Sequence, residues 1–433
     1  MTITTLVKDL PLHDGKDVSL NGWVNNFRSS GKLSFIEFRD GTGYMQVVAA
    51  LDGLDANSAD AIRKLTLETS VSIEGKVSKH PRRPAEYELQ LKQIRIHQIA
   101  EEYPIGKKDH GPDFLLANRH LWLRSKKQWA IQKVRNTLIN AIYEFLNGEG
   151  FTKIDAPIIT SNACEGTTTL FEFQYFDLGK GYLSQSGQLY LEAAIYSHGR
   201  CFDFGPVFRA EKSKTKKHLT EFWMMDAEMA YVEHAQNMEI QEKMVKFLFK
   251  AVLDKNSAEL KMLERDLAAL ERVVKEPFAK ITHAQAVELL RSMGSEITAE
   301  IDLGANDERL LAQKYDVPVF IEKWPSKIKA FYMKRDPSDP NLVLGSDLMA
   351  PEGFGEIIGG SQREDDYQLL LSRMEQENLN ALEFKWYLEL RKYGSVPHSG
   401  FGIGLERLVT WVTGAEHIRE TIPFPRMITR FYP

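Results

Sequence analysis

The sequence predicts an α+β protein in two domains, a small N-terminal β-barrel followed by a large domain of mixed strands and helices. Three observations predict it. The chain has 433 residues, more than a single core comfortably organises. Its N-terminal part alternates apolar and polar positions with the period of strands. Beyond a segment of Pro, Gly and charge, apolar residues recur at helical spacing, interleaved with further strand-like runs. The expected division is a barrel over residues 1–100, a hinge over 101–118 and the mixed domain over 119–433.

In the N-terminal part Val18, Leu20 and Val24 alternate, as do Val71, Ile73 and Val77. LSFIEFRDGTGYMQVV reads as two strands joined by a Gly-containing turn. In YELQLKQIRIHQI the apolar parity switches from Leu89 and Leu91 to Ile94 and Ile96, which places a bulge at Lys92 or Gln93. About five short strands of this kind suit a small barrel. EEYPIGKKDHGPDF has no periodicity and begins the hinge. Ile131, Val134, Leu138, Ile142 and Phe145 then share one face of a helix that Gly148 and Gly150 stop. Further helices are expected around residues 237–250 and 284–293, with a charged helical stretch over 365–391. Periodicity does not set the direction of the strands between them.

Composition narrows the function classes. With 43% hydrophobic and 27% charged residues and no apolar run approaching a membrane span, the chain is expected to be soluble, cytoplasmic and without a membrane partner. The start, MTITTLVKDLPLHDG, has no export signal. Cys164 and Cys201 lack the neighbours of a zinc site and read as free buried thiols. A net charge of -5 excludes indiscriminate coating of nucleic acid but allows local basic surfaces. Lys79, His80, Arg82 and Arg83 form one such run, and Lys212, Lys214, Lys216 and Lys217 another. On composition alone each run is an ordinary solvated loop face.

Two segments carry chemistry. GPVFRAEKSKTKKHLTEFWMMDAEMAY, residues 205–231, reads as a hairpin with a long basic loop. Arg209 offers a permanently charged fork for a phosphate, Glu211 and His218 offer polar contacts, and Phe222 offers a flat face for a base. HSGFGIGLERLVTWVTG, residues 398–414, sets three glycines before a helix whose buried face is Leu405, Leu408, Val409 and Val412. Arg407 lies away from that face, available to a ligand, and the glycine spacing is that of no dinucleotide fingerprint. Taken singly, a charged surface hairpin explains the first segment better than a nucleotide site does, and a packed glycine turn explains the second equally well.

Their conjunction is specific. FRAE, then HLTEF, then GIGLER near the C-terminus, with a helix leading into FTKIDAPIIT, resembles the three signature motifs of class II aminoacyl-tRNA synthetases in their usual order. YLSQSGQLYLEA, APEGFGEIIGGSQR, YGSVPHSGFGIGLER and IPFPRMITRFYP extend the likeness along the chain to the bacterial asparaginyl-tRNA synthetases, and the N-terminal part is similar to their OB-fold anticodon-binding barrel. The resemblance implies an antiparallel catalytic sheet flanked by helices, a homodimer, and ATP bound with magnesium.

It also implies roles. Arg209 would hold the α-phosphate, Phe222 would stack on adenine, Arg407 would meet the γ-phosphate end, and Glu211 and His218 would orient ATP and the tRNA acceptor end. Glu356 resembles the carboxylate that holds magnesium, with Asp347 as a second ligand. Glu165 and Gln188 resemble residues that hold the α-amino group, and Arg363 the arginine that meets the substrate side chain in both aspartyl and asparaginyl enzymes. Leu191 stands where the aspartyl family usually has a lysine, which favours asparagine, since a buried carboxylate needs a second cation. Asp226, where the asparaginyl family usually has glutamate, cuts the other way. Gly359, for a frequent serine, and LGANDE, for FGAPHE, are further departures. In the barrel, Phe35 and Gln46 match the pair that stacks on and hydrogen-bonds the central anticodon uridine, and in that context Arg28, Lys79, Arg82 and Arg83 are expected on its backbone. The expected activity is ligation of asparagine to tRNA(Asn); a non-discriminating aspartyl enzyme and a diverged synthetase paralogue are the alternatives.

Overall fold

A computed structural model describes residues 3–106, 108–161, 169–213 and 215–433. The chain forms two compact units, 1–111 and 112–433. Inside the expected hinge, Pro112–Ala117 is helical.

The first unit is built on strands β1 (Asp17–Ser30), β2 (Leu33–Arg39) and β3 (Tyr44–Ala50), a helix α1 (Ala56–Arg63), and strands β4 (Ser70–His80) and β5 (Arg83–Gln98). β1–β2–β3 run antiparallel, β3 pairs parallel with β5, β5 antiparallel with β4, and β4 returns to β1, which closes the barrel. Closure leaves little unpaired edge. Inward positions are the alternating ones: Val18, Leu20 and Val24, Ile36 and Phe38, Val71, Ile73 and Val77 are all essentially inaccessible. The bulge is real. Glu74 pairs with Gln93 while Gly75 pairs with Leu91, so Lys92 is the extra residue and the inward parity flips across it. The helix α1 lacks a long apolar period, but Asp55 caps it by accepting from the Asn57 and Ser58 amides at 2.9 Å.

In the second unit the short helices Pro112–Ala117 and Arg119–Trp122 lead into α2 (Lys126–Gly148), capped by Ser125, with the predicted stripe Ile131, Val134, Leu138, Ile142 and Phe145 facing inward. Then come β6 (Thr152–Lys153), α3 (Gln188–His198), β7 (Arg200–Phe208), β8 (Glu221–Ala230), α4 (His234–Lys255), β9 (Ala279–Thr282), α5 (His283–Ser292), β10 (Val319–Pro325), β11 (Arg335–Asp336), β12 (Asp339–Ala350), β13 (Gly355–Gln362), α6 (Tyr367–Gln376), β14 (His398–Gly404) and α7 (Leu405–Thr413). These strands make one sheet in the order β9-β10-β12-β13-β14-β8-β7-β6, with β11 beside β12, and the short strands Ile159–Thr160, Lys180–Leu183 and Glu172–Gln174 make a second, three-stranded one. The pairings from β10 through β7 are antiparallel, and only the outermost, β9–β10 and β6–β7, are parallel.

Strand geometry sends alternate side chains to opposite faces, and here the two faces differ sharply. Met225, Ala227 and Met229 of β8, with Phe401 and Ile403 of β14, enter a core with Met244, Leu248 and Phe249 of α4 and Trp411 of α7. The Phe249 and Trp411 rings lie 4.3 Å apart. Phe222, Met224 and Asp226 of β8, with Gly402 and Gly404 of β14, line a cavity on the other face.

Two expectations need correction. The glycines of HSGFGIG are a strand, β14, that runs directly into α7, not a turn ahead of it. The charged stretch over 365–391 is not one helix: α6 ends, Asn378 takes a left-handed conformation with φ 55°, and a short second helix, Lys385–Glu389, follows.

Candidate active site

The cavity beneath the sheet has a volume of about 750 Å³. At one end stand the side chains of the β7–β8 hairpin. The hairpin is in register from Phe208 opposite Glu221 to Arg200 opposite Met229, which puts Phe222 across from Val207 just before the loop. Arg209 follows β7. Its amide donates to the Thr220 carbonyl at 3.0 Å, its guanidinium donates to the Gln185 carbonyl, and its Cζ lies 5.6 Å from the Phe222 ring centroid. Guanidinium and aromatic face are therefore presented together. Glu211 and His218 line the same end and also a smaller adjoining cavity of about 230 Å³, which His417 and Arg419 border. From the same loop Lys217 reaches Glu308 at 3.2 Å, and Glu308 accepts from the Glu356 amide at 3.2 Å.

Arg407 projects from the first turn of α7 and donates to both the carbonyl and Oε2 of Glu356, each at 3.2 Å. Enclosure in the cavity alone would raise the Glu356 carboxyl, but Arg407, Lys329 and Lys217 outweigh it and hold it below the ordinary carboxylate range. Asp347 stands opposite Gly359 across β12 and β13. Its Oδ2 accepts from Lys329 Nζ at 2.7 Å. Burial pushes the Asp347 carboxyl up to about 7, Lys329 opposes that, and Glu356 and Asp302 add to it. Lys329 drew no attention in the sequence.

At the other end the side chains close on one another. Asp226 Oδ2 accepts from the Ser186 hydroxyl and the Gly187 amide, both at 2.8 Å. Burial raises the Asp226 carboxyl to about 6 against these bonds, and Asp203 adds to the rise. Two residues on, the same face of β8 presents Glu228. Arg363 donates to it through Nε and Nη2 and to Ser361 Oγ at 2.7 Å, while its Cζ lies 5.2 Å over the Tyr332 ring. Burial pushes the Glu228 carboxyl up and Arg363 opposes it. Glycines make the room: a Cβ at Gly402 would stand 2.6 Å from Asp226 Oδ1, and one at Gly400 would stand 2.0 Å from Glu228 Oε1. The glycine cluster is thus a mould for two carboxylates of the neighbouring strand.

Gln188, at the start of α3, donates to Glu192 at 3.1 Å. Glu192 is fully buried and also accepts from the Tyr387 hydroxyl at 2.7 Å, Arg391 at 2.6 Å and His398 at 3.0 Å. Leu191 faces elsewhere. It is fully buried in an apolar cluster with Ile195 and Cys201, and it is not among the described residues that line the cavity. Glu165 and Cys164 fall outside the described residues. No helix among the described residues is long and apolar enough to cross a membrane.

In the barrel, Phe35 is on the outward parity of β2, between inward Ser34 and Ile36, and so is not core. Arg28, its partner across β1–β2, lies with Cζ 5.0 Å from its ring centroid. Gln46, on the next strand, donates to Glu88 at 2.9 Å. Lys79, His80, Arg82 and Arg83 gather at the β4–β5 turn.

Residues 111–428 match the family model for class II tRNA synthetases of the D, K and N group, and residues 18–96 match the OB-fold nucleic acid binding domain. This chain belongs to the class II tRNA synthetases. The synthetase is 43% identical to asparaginyl-tRNA synthetase from Pyrococcus horikoshii complexed with asparaginyl-adenylate, over 100% of both chains with a TM-score of 0.95. Against the Entamoeba histolytica asparaginyl-tRNA synthetase complexed with asparaginyl-adenylate the figures are 30% identity, 100% of both chains and 0.91. A putative aspartyl-tRNA synthetase from Leishmania major Friedlin is 26% identical over 100% of this chain and 95% of that one, with a TM-score of 0.85. The synthetase is accordingly a ligase of amino acid and tRNA, with an OB-fold joined to a class II catalytic domain.

Proposed function

We propose that this synthetase is an asparagine–tRNA ligase that activates asparagine with ATP and transfers it to the 3′ end of tRNA(Asn). The observation that supports asparagine over aspartate is the closed pair of Arg363 and Glu228 with Asp226 on the same face. Arg363 brings one positive charge to that end of the cavity, and Glu228 already matches it. An aspartate side chain would enter beside two carboxylates with no uncompensated cation, a costly burial, whereas an amide needs only donors and acceptors. Gln188, held by Glu192, and Glu165 would take the α-amino group. Asp226 would accept from the side-chain amide directly or through a water.

At the other end Arg209 would hold the α-phosphate, Phe222 would stack on adenine, and Arg407 would meet the γ-phosphate. Glu211 and His218, lining both cavities, would pass between ATP and the acceptor strand. Glu356 fits a magnesium ion: it is ionised, faces the phosphate end and shares its space with a residue lacking a Cβ, Gly359. Magnesium there would screen the charge that develops as pyrophosphate departs. Attack of the carboxylate on the α-phosphorus, and later of a ribose hydroxyl on the carbonyl, needs positioning and charge stabilisation more than a protein nucleophile. In the barrel Phe35 would stack on the central anticodon base, Gln46 would read its edge and Arg28 would hold its backbone. A cytoplasmic location and a homodimer built through α2 and the exposed Ile158 and Ile159 belong to the same proposal.

ATP–pyrophosphate exchange tests the substrate. Exchange should depend on asparagine; robust exchange with aspartate and none with asparagine would overturn the assignment. The aspartyl alternative is motivated by an aspartate at 226 in place of the asparaginyl family's usual glutamate, and it predicts that labelled aspartate is joined to both tRNA(Asp) and tRNA(Asn). For the barrel, Phe35→Ala should leave exchange intact and weaken tRNA charging by about 5- to 150-fold, from ~1–3 kcal/mol of base stacking. Equal loss in both assays would contradict the division of labour between the units.

A further inference from the structure

Glu192 lies on α3 one turn beyond Gln188, and its two carboxylate oxygens divide their partners unequally. Oε2 accepts from the Tyr387 hydroxyl at 2.7 Å, Arg391 Nη2 at 2.6 Å and His398 Nε2 at 3.0 Å. Oε1 accepts from Gln188 Nε2 at 3.1 Å. The side chains of Glu192, Arg391 and His398 are all inaccessible, so these bonds are made away from solvent. Burial by itself would raise the Glu192 carboxyl, but Arg391, joined by His398 and Arg363, outweighs it and holds the carboxyl well below the ordinary carboxylate range. Glu192 is therefore ionised and can only accept.

An acceptor-only neighbour decides a question that a side-chain amide otherwise leaves open. The oxygen and nitrogen of an amide are nearly alike in size and exchange places on a half-turn of the last torsion. Gln188 has little other freedom, since it is buried and its backbone amide donates to Ser186 Oγ at 3.1 Å. With nitrogen turned to Glu192, oxygen is the end left for the cavity that Gln188 lines. The half-turn would set oxygen against oxygen, strip Glu192 Oε1 of its donor inside the fold and show an NH2 group to the ligand. The cavity presents an acceptor at this point, which suits an ammonium.

We propose that Glu192 is a positioning residue that sets the polarity of Gln188: it fixes the amide nitrogen inward, so that the oxygen meets the α-ammonium of the amino acid. This rests on the reading of Gln188 as a contact of that ammonium. Glu192 does not touch the substrate and acts through Gln188, while Tyr387, Arg391 and His398 keep its carboxylate charged and still.

The same bonds say what an uncharged replacement would do. In Glu192→Gln the end of the new amide that faces Tyr387, Arg391 and His398 must be its oxygen, because donors approach it from all three. Its NH2 group then faces Gln188, which turns its own oxygen inward and shows nitrogen to the cavity. KM for asparagine in ATP–pyrophosphate exchange should rise at least about tenfold, while kcat and KM for ATP stay within about twofold. Succinamate, which is asparagine without its α-amino group, should inhibit the variant as well as it inhibits the unaltered protein. Equal weakening of asparagine and succinamate would show a merely structural role, and it would overturn the proposal, as would an unchanged KM. Gln188→Ala probes the reading underneath: an unaltered KM for asparagine would overturn the ammonium contact itself. Neutron diffraction from deuterated crystals of the unaltered protein needs no variant to fold. It should show deuterium on the Gln188 atom that faces Glu192 and none on the atom that faces the cavity; the reverse arrangement would overturn the role of Glu192.

Discussion

Arg407 meets Glu356 at 3.2 Å with side chains 30% and 34% exposed, whereas Arg363 grips Glu228 through two nitrogens with side chains 4% and 1% exposed. The two pairs use the same chemistry at opposite ends of one cavity, in opposite settings. A pair about a third exposed is worth about 0–1 kcal/mol, so the phosphate or metal ion proposed for this end would exchange partners with it at little cost. Breaking a buried pair leaves an uncompensated charge and costs about 3–5 kcal/mol, so Arg363 and Glu228 act as a fixed wall. On the proposed function, the end that would meet polyphosphate is loose, and the end that would tell two nearly isosteric side chains apart is rigid.

Removing the wall should have the largest effect. Glu228→Gln should lower unfolding stability by about 3–5 kcal/mol in denaturant melts; a loss under about 1 kcal/mol would show that the two pairs do not differ as described. Next, Arg209→Ala should reduce exchange by roughly 10²–10³-fold while melting near the unaltered protein, since the phosphate contact proposed for it would act on the reaction rather than on the fold. Asp226 gives a pH-dependent result of the opposite sign. Its folded pKa, about 6, lies above the ordinary 3.8, so its charged form is a burden that grows as pH rises through that window and is complete above pH 6. Asp226→Asn should therefore stabilise the fold by up to about 3 kcal/mol at pH 7.5, and the gain should vanish near pH 4. The smallest change is expected at the loose pair: Glu356→Gln should shift stability by no more than about 1 kcal/mol, although Mn2+ binding is lost.

Much of the fold was legible because it is written in local periods. Strand parity found the barrel and the bulge at Lys92, and helical spacing found α2. Sheet order was not legible, since β13 pairs with β14 across a segment holding two helices, and nothing in either strand names its neighbour. Asn378 interrupts the stretch over 365–391 without Gly or Pro, and a left-handed Asn is easily read as an ordinary helical residue. In the site, Arg209, Phe222, Arg407 and Glu356 line one cavity although they are far apart in sequence. Leu191 does not, because on α3 it points into the apolar cluster while Gln188, three residues earlier, points at the cavity. Glu228 was not singled out in the sequence, yet the alternation of Phe222, Met224 and Asp226, which line the cavity, against Met225, Ala227 and Met229 puts it on the same side of the strand. Lys329 had no sequence signal, because its meaning lies in Asp302 and Asp347, both distant along the chain.

Glu192 ties Gln188 to Tyr387, Arg391 and His398, partners separated from it by 195 to 206 positions. Such contacts close a very long loop, and they form only when the whole intervening domain has brought its ends together. During synthesis on the ribosome the anticodon barrel can mature early, from contacts confined to its own segment. The pocket proposed to choose the amino acid cannot exist until β14 has emerged, so a chain stalled before His398 would carry a finished barrel with no means of selecting what to attach.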